Sequence, residues 1–216
     1  MVMPGNHSGA LVHYLAGRYP GRIGWLISPP IQSTKLRDWM PFALDNGAFA
    51  AWQKKRPFPE EAWRELIEHV RLRQLTPLWV LVPDVVADRA GTIQSWHRWE
   101  PELRRLGWPL AFAVQDEMSA SDVPASADVV FVGGSTKWKW RTVAYWAKHF
   151  GRVHVGRVNE VERVELCERL GVESVDGTGW FRATEEGRQA RALRRWIEQG
   201  GSEPHPELSF AGGTAT

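Results

Sequence analysis

The amino-acid sequence predicts an α/β fold, and three observations support that prediction. Short apolar runs alternate with longer amphipathic stretches along most of the chain. The runs are continuously apolar, which indicates strands buried on both faces, as in a parallel sheet. Most runs are followed by a helical pattern, as strand–helix repeats require. We therefore expect a TIM-like (β/α) barrel rather than the doubly wound open sheet that the same pattern allows.

The candidate strands are the short apolar runs, most of which end before a polar residue or a glycine. They are Ile23–Ser28, Phe42–Leu44, Leu78–Val82, Leu110–Val114, Val129–Val132, Arg152–Val155 and Glu173–Val175. A regular barrel has eight strands, so this set of seven predicts a compact barrel and leaves open whether it has fewer than eight regular strands.

The candidate helices alternate with these strands. They are Ser8–Gly17, Pro59–Gln74, Arg89–Arg105, Thr136–Phe150, Glu160–Leu170 and Glu185–Gln199. The segment Pro59-Glu60-Glu61 is typical of a helix start, since proline and acidic residues favour the first turn. Gly107, Gly151 and Gly171 follow three of the helices, where C-terminal caps are expected.

The length and composition predict a single domain. A chain of 216 residues fits one α/β domain, and 43% hydrophobic residues are enough for a sizeable core. No internal repeat or low-complexity linker divides the chain, so we expect one barrel domain over residues 1–199. Residues 200–216 are rich in Gly, Ser, Pro and Glu, and we expect them to form a flexible C-terminal tail.

Charge and cysteine content narrow the function classes. The net charge is only +2, from 27 Lys and Arg against 25 Asp and Glu, so any polyanion site must rest on a local cluster of cations. The single cysteine, Cys167, excludes an internal disulfide and a multi-cysteine zinc site. We expect no metal and no cofactor. No stretch reaches the length of a membrane span, which predicts a cytoplasmic protein without membrane contact.

Polar residues and glycines follow six successive candidate strands. They include Asp45, Asp84, Gln115, the pair Gly133-Gly134, and Asp176. The carboxyl ends of parallel strands share one face of the fold, and in barrels that face holds the active site. We therefore expect these residues to line one pocket, although each one alone also fits a turn, a helix cap or a loop.

In their order along the chain, these motifs resemble those of the queuine tRNA-ribosyltransferase family and its DNA-modifying relatives, which insert 7-deazaguanine bases. The segment 45–49 (Asp-Asn-Gly-Ala-Phe) resembles the family's Asp-Ser-Gly-Gly-Phe, although Asn46 and Ala48 depart from it. Pro83-Asp84, Val114-Gln115 and the Gly-Gly segment 132–135 resemble the next three family motifs. The likeness spans about residues 45–180.

The last two motifs of the resemblance lie near the end of the barrel. The segment 154–160 resembles the family's Gly-Val-Gly-Thr-Pro-Glu, and Val175-Asp176 resembles the strand that carries the nucleophilic aspartate. This chain is much shorter than the tRNA enzymes and lacks the cysteines of their zinc site. Both departures favour the smaller phage-type DNA 7-deazaguanine transglycosylases.

The resemblance implies base exchange, with a role for each strand-end residue. Asp176 is the implied nucleophile, and Asp45 is the candidate acid and base that serves the departing and incoming bases. Asp84 would accept hydrogen bonds from N1–H and the amino group of a guanine-like base. Gln115 and a backbone N–H around Gly133-Gly134 would donate to its O6. The expected partners are DNA and a free 7-deazaguanine or guanine base.

Several cations are candidates for binding the nucleic-acid backbone. Lys137, Lys139 and Arg141 are interleaved with two tryptophans in the segment 136–142, a pattern typical of phosphate contacts beside a stacking ring. The same pattern also fits a helix start whose tryptophans pack inward. Arg157 and Arg182 lie just after strand ends and are further candidates for phosphate contacts.

Three alternatives remain open at the sequence level. The enzyme could act on RNA, as the tRNA-guanine transglycosylases do. It could be a barrel enzyme that handles a sugar phosphate, since Gly133-Gly134-Ser135 precedes a helix and could bind phosphate. It could also be a nucleic-acid-binding barrel without catalysis, although such a protein would not need both Asp45 and Asp176.

Overall fold

The computed structural model describes residues 1–5, 9–30, 39–180 and 187–199. Within these ranges, eight parallel strands form the sheet. They are β1 (Val2–Pro4), β2 (Trp25–Ile27), β3 (Phe42–Leu44), β4 (Val80–Leu81), β5 (Leu110–Val114), β6 (Val129–Val132), β7 (Val153–Val155) and β8 (Ser174–Gly177). The sequence did not predict β1, and with it the barrel has eight strands instead of the seven candidates.

The strands form a nearly closed barrel in the order of the chain. Each strand from β2 to β7 is paired with the strand that follows it in the chain, and β8 is paired with β1. Two bridges, Val2 with Ile23 and Gly5 with Leu26, then join β1 to β2. The barrel prediction is confirmed, because a doubly wound sheet would leave two open edges and reverse its strand order.

Helices surround the barrel wherever the chain is long enough between strands. They are α1 (Ala10–Arg18), α2 (Ala48–Gln53), α3 (Glu60–Leu72), α4 (Arg89–Leu103), α5 (Thr136–His149), α6 (Val161–Arg169) and α7 (Arg188–Gln199). The short α2 was not predicted, and only a 3₁₀ turn at Ala120–Asp122 lies between β5 and β6. None of the described helices is both long and apolar enough to cross a membrane.

Two apolar layers hold the fold together. The outer layer, between strands and helices, contains most of the large side chains, among them Trp63, Trp99 and Trp146. The layer inside the barrel is smaller: Met3, Leu26, Ala43, Trp79, Leu81, Ala111, Ala113 and Val129. Trp79 is the largest of these inner side chains and fills part of the barrel interior. Several of the others are alanines, which leave space towards the carboxyl ends of the strands. The predicted tail, residues 200–216, and Arg182 lie outside the described residues.

Candidate active site

A cavity of about 250 Å³ opens at the carboxyl ends of the strands. Leu26, Leu81, Ala113 and Phe131 supply apolar parts of its lining. The polar lining contains seven residues that the sequence singles out: Asp45, Asp84, Gln115, Gly133, Gly134, Arg157 and Asp176. The strand-end residues predicted to share one pocket are therefore brought together.

Asp176, on β8, is held in place by a buried histidine. Its Oδ1 lies 3.0 Å from His154 Nε2, and His154 Nδ1 lies 2.7 Å from Ser174 Oγ. Asp176 is only 7% exposed and His154 is fully buried, yet Asp176 also lines the cavity. His154 thus contacts Oδ1, and among the described residues no hydrogen bond is made to Oδ2.

Asp45, at the end of β3, is a carboxyl whose environment favours the protonated form. Burial, together with the negative charges of Asp176 and Asp84, raises the pKa of Asp45 to about 6, although a hydrogen bond from Ser28 acts in the opposite direction. That bond runs from Ser28 Oγ to Asp45 Oδ2 at 2.7 Å. A carboxyl with this pKa can both give and take a proton near neutral pH.

Asp84 accepts hydrogen bonds from two side-chain amides. Asn46 Nδ2 donates to Asp84 Oδ1 at 2.8 Å, and Gln115 Nε2 donates to Asp84 Oδ2 at 2.7 Å. Backbone N–H groups fix both amides, since Ala48 donates to Asn46 Oδ1 and Ala87 donates to Gln115 Oε1. Burial raises the pKa of Asp84, while the two amides act in the opposite direction.

The Gly133-Gly134 loop is fastened by neighbouring side chains. Gly134 has a φ of +62°, and a Cβ there would lie 2.5 Å from Asp116 Oδ1. The Gly134 carbonyl accepts a hydrogen bond from the Arg157 guanidinium. The Gly133 N–H donates to the Val114 carbonyl at 3.2 Å. Of the two backbone N–H groups predicted to donate to the base, that of Gly134 is therefore the remaining candidate.

The start of α5 is already occupied by a carboxylate of the protein itself. Asp116 Oδ1 accepts from the Ser135 backbone N–H at 2.5 Å, and Asp116 Oδ2 accepts from Ser135 Oγ at 2.6 Å. Ser135 Oγ in turn accepts from the Trp138 N–H. These groups would otherwise be the donors for an anion at a helix start, so they are not free to bind a phosphate.

One of the predicted phosphate contacts is wrong. Lys139 is buried, and its ammonium donates to the carbonyls of Gly156 and Arg157. Burial lowers the pKa of Lys139 to about 8. Trp138 is buried as well, so this part of α5 follows the alternative in which the tryptophan packs inward.

The other predicted cations occupy different positions. Lys137 and Arg141 are exposed on α5. Arg157 is half-buried, lines the cavity and places its guanidinium 4.4 Å from the centre of the Phe49 ring. Arg182 lies outside the described residues.

Sequence reasoning gave no role to His154, Ser28 or Phe49. His154 is the middle residue of β7, where alternation points its side chain into the barrel. A histidine at an inner strand position, two residues before a glycine, was the available signal. The partner of Ser28 depends on the pairing of β2 with β3, which a single sequence does not contain.

The three carboxylates of the cavity do not form a metal cluster. Among the described residues, no three His, Cys, Asp or Glu side chains are grouped so that they could hold a metal ion. Asp45, Asp84 and Asp176 instead make separate hydrogen bonds, to Ser28, to the two amides and to His154. The arrangement suits acid–base and nucleophilic chemistry at three separate points.

Comparison with known proteins identifies the fold alone. No family model matches the sequence, and no curated protein matches it. Two structures of the tryptophan synthase complex from Pyrococcus furiosus are similar, each 13% identical to this chain. They have TM-scores of 0.54 and 0.55, cover 91% of this chain, and are themselves covered to 95% and 94%.

A third similar structure is 3-hexulose-6-phosphate synthase from Salmonella typhimurium. It is 12% identical, has a TM-score of 0.51, covers 92% of this chain and is itself covered to 98%. The likeness to all three is one of fold. The matched fold thus extends over nearly the full length of the three matched chains.

Proposed function

We propose that the protein exchanges a guanine-like base on nucleic acid, with DNA as the acceptor and a 7-deazaguanine as the incoming base. The observation that carries this proposal is the pair Asp45 and Asp176 on one cavity. Asp176 contacts His154 through Oδ1 and lines the cavity, and burial raises the pKa of Asp45 to about 6. A nucleophile and an acid in different environments are what base exchange requires.

In the first half of the reaction, Asp176 attacks C1′ of the target nucleotide as the bond from C1′ to the base breaks. The electron pair of that bond goes to the departing base, which takes the proton of Asp45. The product is a covalent aspartyl–sugar ester and a free neutral base. In the second half, ionised Asp45 takes a proton from the incoming base, whose ring nitrogen attacks C1′ and releases Asp176.

The charge of the cavity suits a cationic transition state. Cleavage of a glycosidic bond develops positive charge at the sugar, and Asp45, Asp84 and Asp176 all line the cavity. Arg157 is the cation among the described lining residues, and its guanidinium is directed at the Gly134 carbonyl. The excess of carboxylates over cations in this lining would stabilise an oxocarbenium-like sugar.

The side chains around Asp84 fit recognition of the base. An ionised carboxylate offers about four acceptor positions, and the two amides use one on each oxygen. The remaining positions can accept from the N1–H and amino group of guanine. Gln115 keeps a second amide hydrogen that can donate to O6.

A sugar-phosphate enzyme is the second candidate. The name of one similar structure, 3-hexulose-6-phosphate synthase, favours this class over base exchange, and Arg157 supplies a cation in the cavity. Against it stand the three carboxylates and the occupied start of α5, where Asp116 takes the donors that a phosphate would need.

An exchange assay tests the proposal. Radiolabelled guanine or a 7-deazaguanine is offered with DNA, and separately with tRNA. Two quantities are measured: the incorporation of label into the nucleic acid and the amount of trapped protein–nucleic-acid adduct. We expect Asp176→Asn to abolish both. Asp88→Asn is the matched control, because Asp88 caps α4 by accepting from the Gly91 N–H at 2.9 Å and asparagine caps equally well.

Two results would overturn the proposal. One is an adduct that persists in Asp176→Asn, which would remove the nucleophile. The other is the absence of exchange with either nucleic acid while a panel of sugar phosphates is turned over, which would establish the second candidate instead.

A further inference from the structure

We propose that Trp52 and the three cations Lys54, Lys55 and Arg56 form a binding surface for single-stranded DNA beside the cavity. This surface, here called the α2 rim, would hold the nucleotides that flank the base undergoing exchange. The inference rests on the proposed function for the identity of the strand, and it adds a binding site that none of the predicted cations supplies.

The α2 rim continues directly from the cavity. Phe49, Ala50 and Gln53 of α2 line the cavity. The Phe49 ring is stacked with Trp52, with ring centres 5.9 Å apart and planes 28° from parallel. Trp52 is 53% exposed, so an aromatic surface extends from the cavity wall to solvent.

The cations of the α2 rim are held in a defined turn. Backbone N–H groups of Lys54 and Arg56 donate to the Ala51 carbonyl, at 3.1 and 2.9 Å, and that of Lys55 donates to the Trp52 carbonyl at 3.0 Å. Lys55 closes the turn with a φ of +52°. The turn therefore fixes the backbone of three consecutive cations, which begin two residues after the exposed indole.

Unlike several arginines of the surface, these cations have no carboxylate partner among the described residues. Arg64, Arg71, Arg89 and Arg104 are all paired with acidic side chains. Across the described part of the chain, no acidic side chain lies within ion-pair distance of Lys54, Lys55 or Arg56, and all three are exposed. The positive charge of the α2 rim is therefore available to an anionic partner.

An exposed indole beside unpaired cations fits a single nucleic-acid strand. Bases of a single strand stack on aromatic side chains while cations follow the phosphates. A base that enters the cavity has left its stack, which exposes the neighbouring bases to Trp52. Cations at a helix end also complement the helix dipole, and the control below separates that role from binding.

Fluorescence anisotropy with a labelled single-stranded DNA oligonucleotide tests the inference, in the full chain and over a range of salt concentrations. We expect Lys54→Ala/Lys55→Ala/Arg56→Ala to reduce the slope of log K against log salt by about 2, since each phosphate contact in a single strand contributes about 0.7. Trp52→Ala should weaken binding by about fivefold or more, and Trp52→Phe should restore much of it.

The control triple variant is Arg73→Ala/Lys148→Ala/Arg169→Ala. It removes the same charge from the ends of α3, α5 and α6, which precede β4, β7 and β8 and so lie at the opposite end of the barrel. All three control residues are exposed. We expect this variant to bind DNA with the wild-type salt slope, and both triple variants to keep the wild-type thermal unfolding midpoint within a few degrees.

The outcomes separate this inference from the proposed function. Equal slopes for the two triple variants, or tighter binding of duplex DNA, RNA or an acidic peptide than of single-stranded DNA, would overturn the inference even if base exchange occurs. Loss of binding confined to the α2 rim variants supports it even if no exchange is found. In an active enzyme, the same variants should raise KM for DNA and leave kcat unchanged.

Discussion

His154 Nε2 lies 3.0 Å from Asp176 Oδ1, inside the barrel and away from solvent. The imidazole is stacked on Phe131 at 4.8 Å and meets the edge of Trp79 at 4.7 Å. Its second nitrogen is 2.7 Å from Ser174 Oγ. These contacts fix the orientation of the imidazole, and we infer that His154 positions the carboxylate of Asp176, which lines the cavity.

We expect His154→Phe to reduce kcat for base exchange by at least about tenfold, because a hydrogen bond to a carboxylate contributes roughly 1.5–3 kcal/mol. Phenylalanine keeps the stacked ring but cannot donate to Asp176. KM for DNA should not change, since His154 does not line the cavity. His154→Gln, which restores an N–H donor, should recover part of kcat. Equal losses in both variants, or a loss confined to KM, would contradict a positioning role.

Asp45→Asn should stabilise the protein at neutral pH while abolishing exchange. The pKa of Asp45 rises from 3.8 to about 6 on folding, so between these values the folded protein keeps a proton that the unfolded chain releases. The stability of the wild type therefore falls as pH rises through this window, by about 3 kcal/mol in all. Asparagine has no such dependence.

Urea unfolding at a series of pH values from 4 to 8 measures this difference. The free energy of unfolding of the variant should match the wild type near pH 4 and exceed it increasingly up to about pH 6.5. Asp88→Asn, at an exposed helix cap, should show no comparable trend. A difference between Asp45→Asn and the wild type that does not vary with pH would mean that Asp45 is not buried as described.

Gly177→Ala should destabilise the barrel by at least about 2 kcal/mol. A Cβ at this position would lie 2.1 Å from the Val158 carbonyl oxygen and 2.6 Å from Trp180 Nε1, and the backbone atom cannot move without shifting the end of β8. Gly17→Ala is the control, since its Cβ would meet nothing within 4 Å and alanine favours a helix by about 0.5–1 kcal/mol. Chemical denaturation should show opposite signs, and a neutral Gly177→Ala would disprove the close approach.

Much of the fold could be predicted because the signals are local. Val129–Val132 and Leu110–Val114 are continuous apolar runs, and the structure has strands with these same bounds. The first strand could not be predicted, since Val2–Pro4 is three residues long and ends in proline. It becomes a strand through its pairing with β8, a contact between the two ends of the barrel.

The site could be predicted in part for the same reason. Asp45 and Gln115 follow strands directly, and Asp84 comes shortly after β4. Parallel strands place such residues on one face. The fate of Lys139 could not be predicted, because its ammonium is buried against carbonyls that follow β7. Which side of α5 faces the barrel depends on packing, and the alternation of tryptophans and cations does not reveal it.

Asp84→Asn should reduce the selection of guanine over hypoxanthine, which has no amino group. The two oxygens of Asp84 already accept hydrogen bonds from the Asn46 and Gln115 amides. In the variant, the new side-chain NH₂ of residue 84 would face one of these two amide NH₂ groups, and two donors cannot bond each other. The acceptors that face the guanine amino group and N1–H would then be lost or turned away. Competition between labelled guanine and hypoxanthine measures the effect, with an expected fall of at least about tenfold in the ratio of kcat/KM. A ratio equal to that of the wild type would remove Asp84 from base recognition, whereas a loss of all exchange at an unchanged thermal midpoint would assign it to the chemical step.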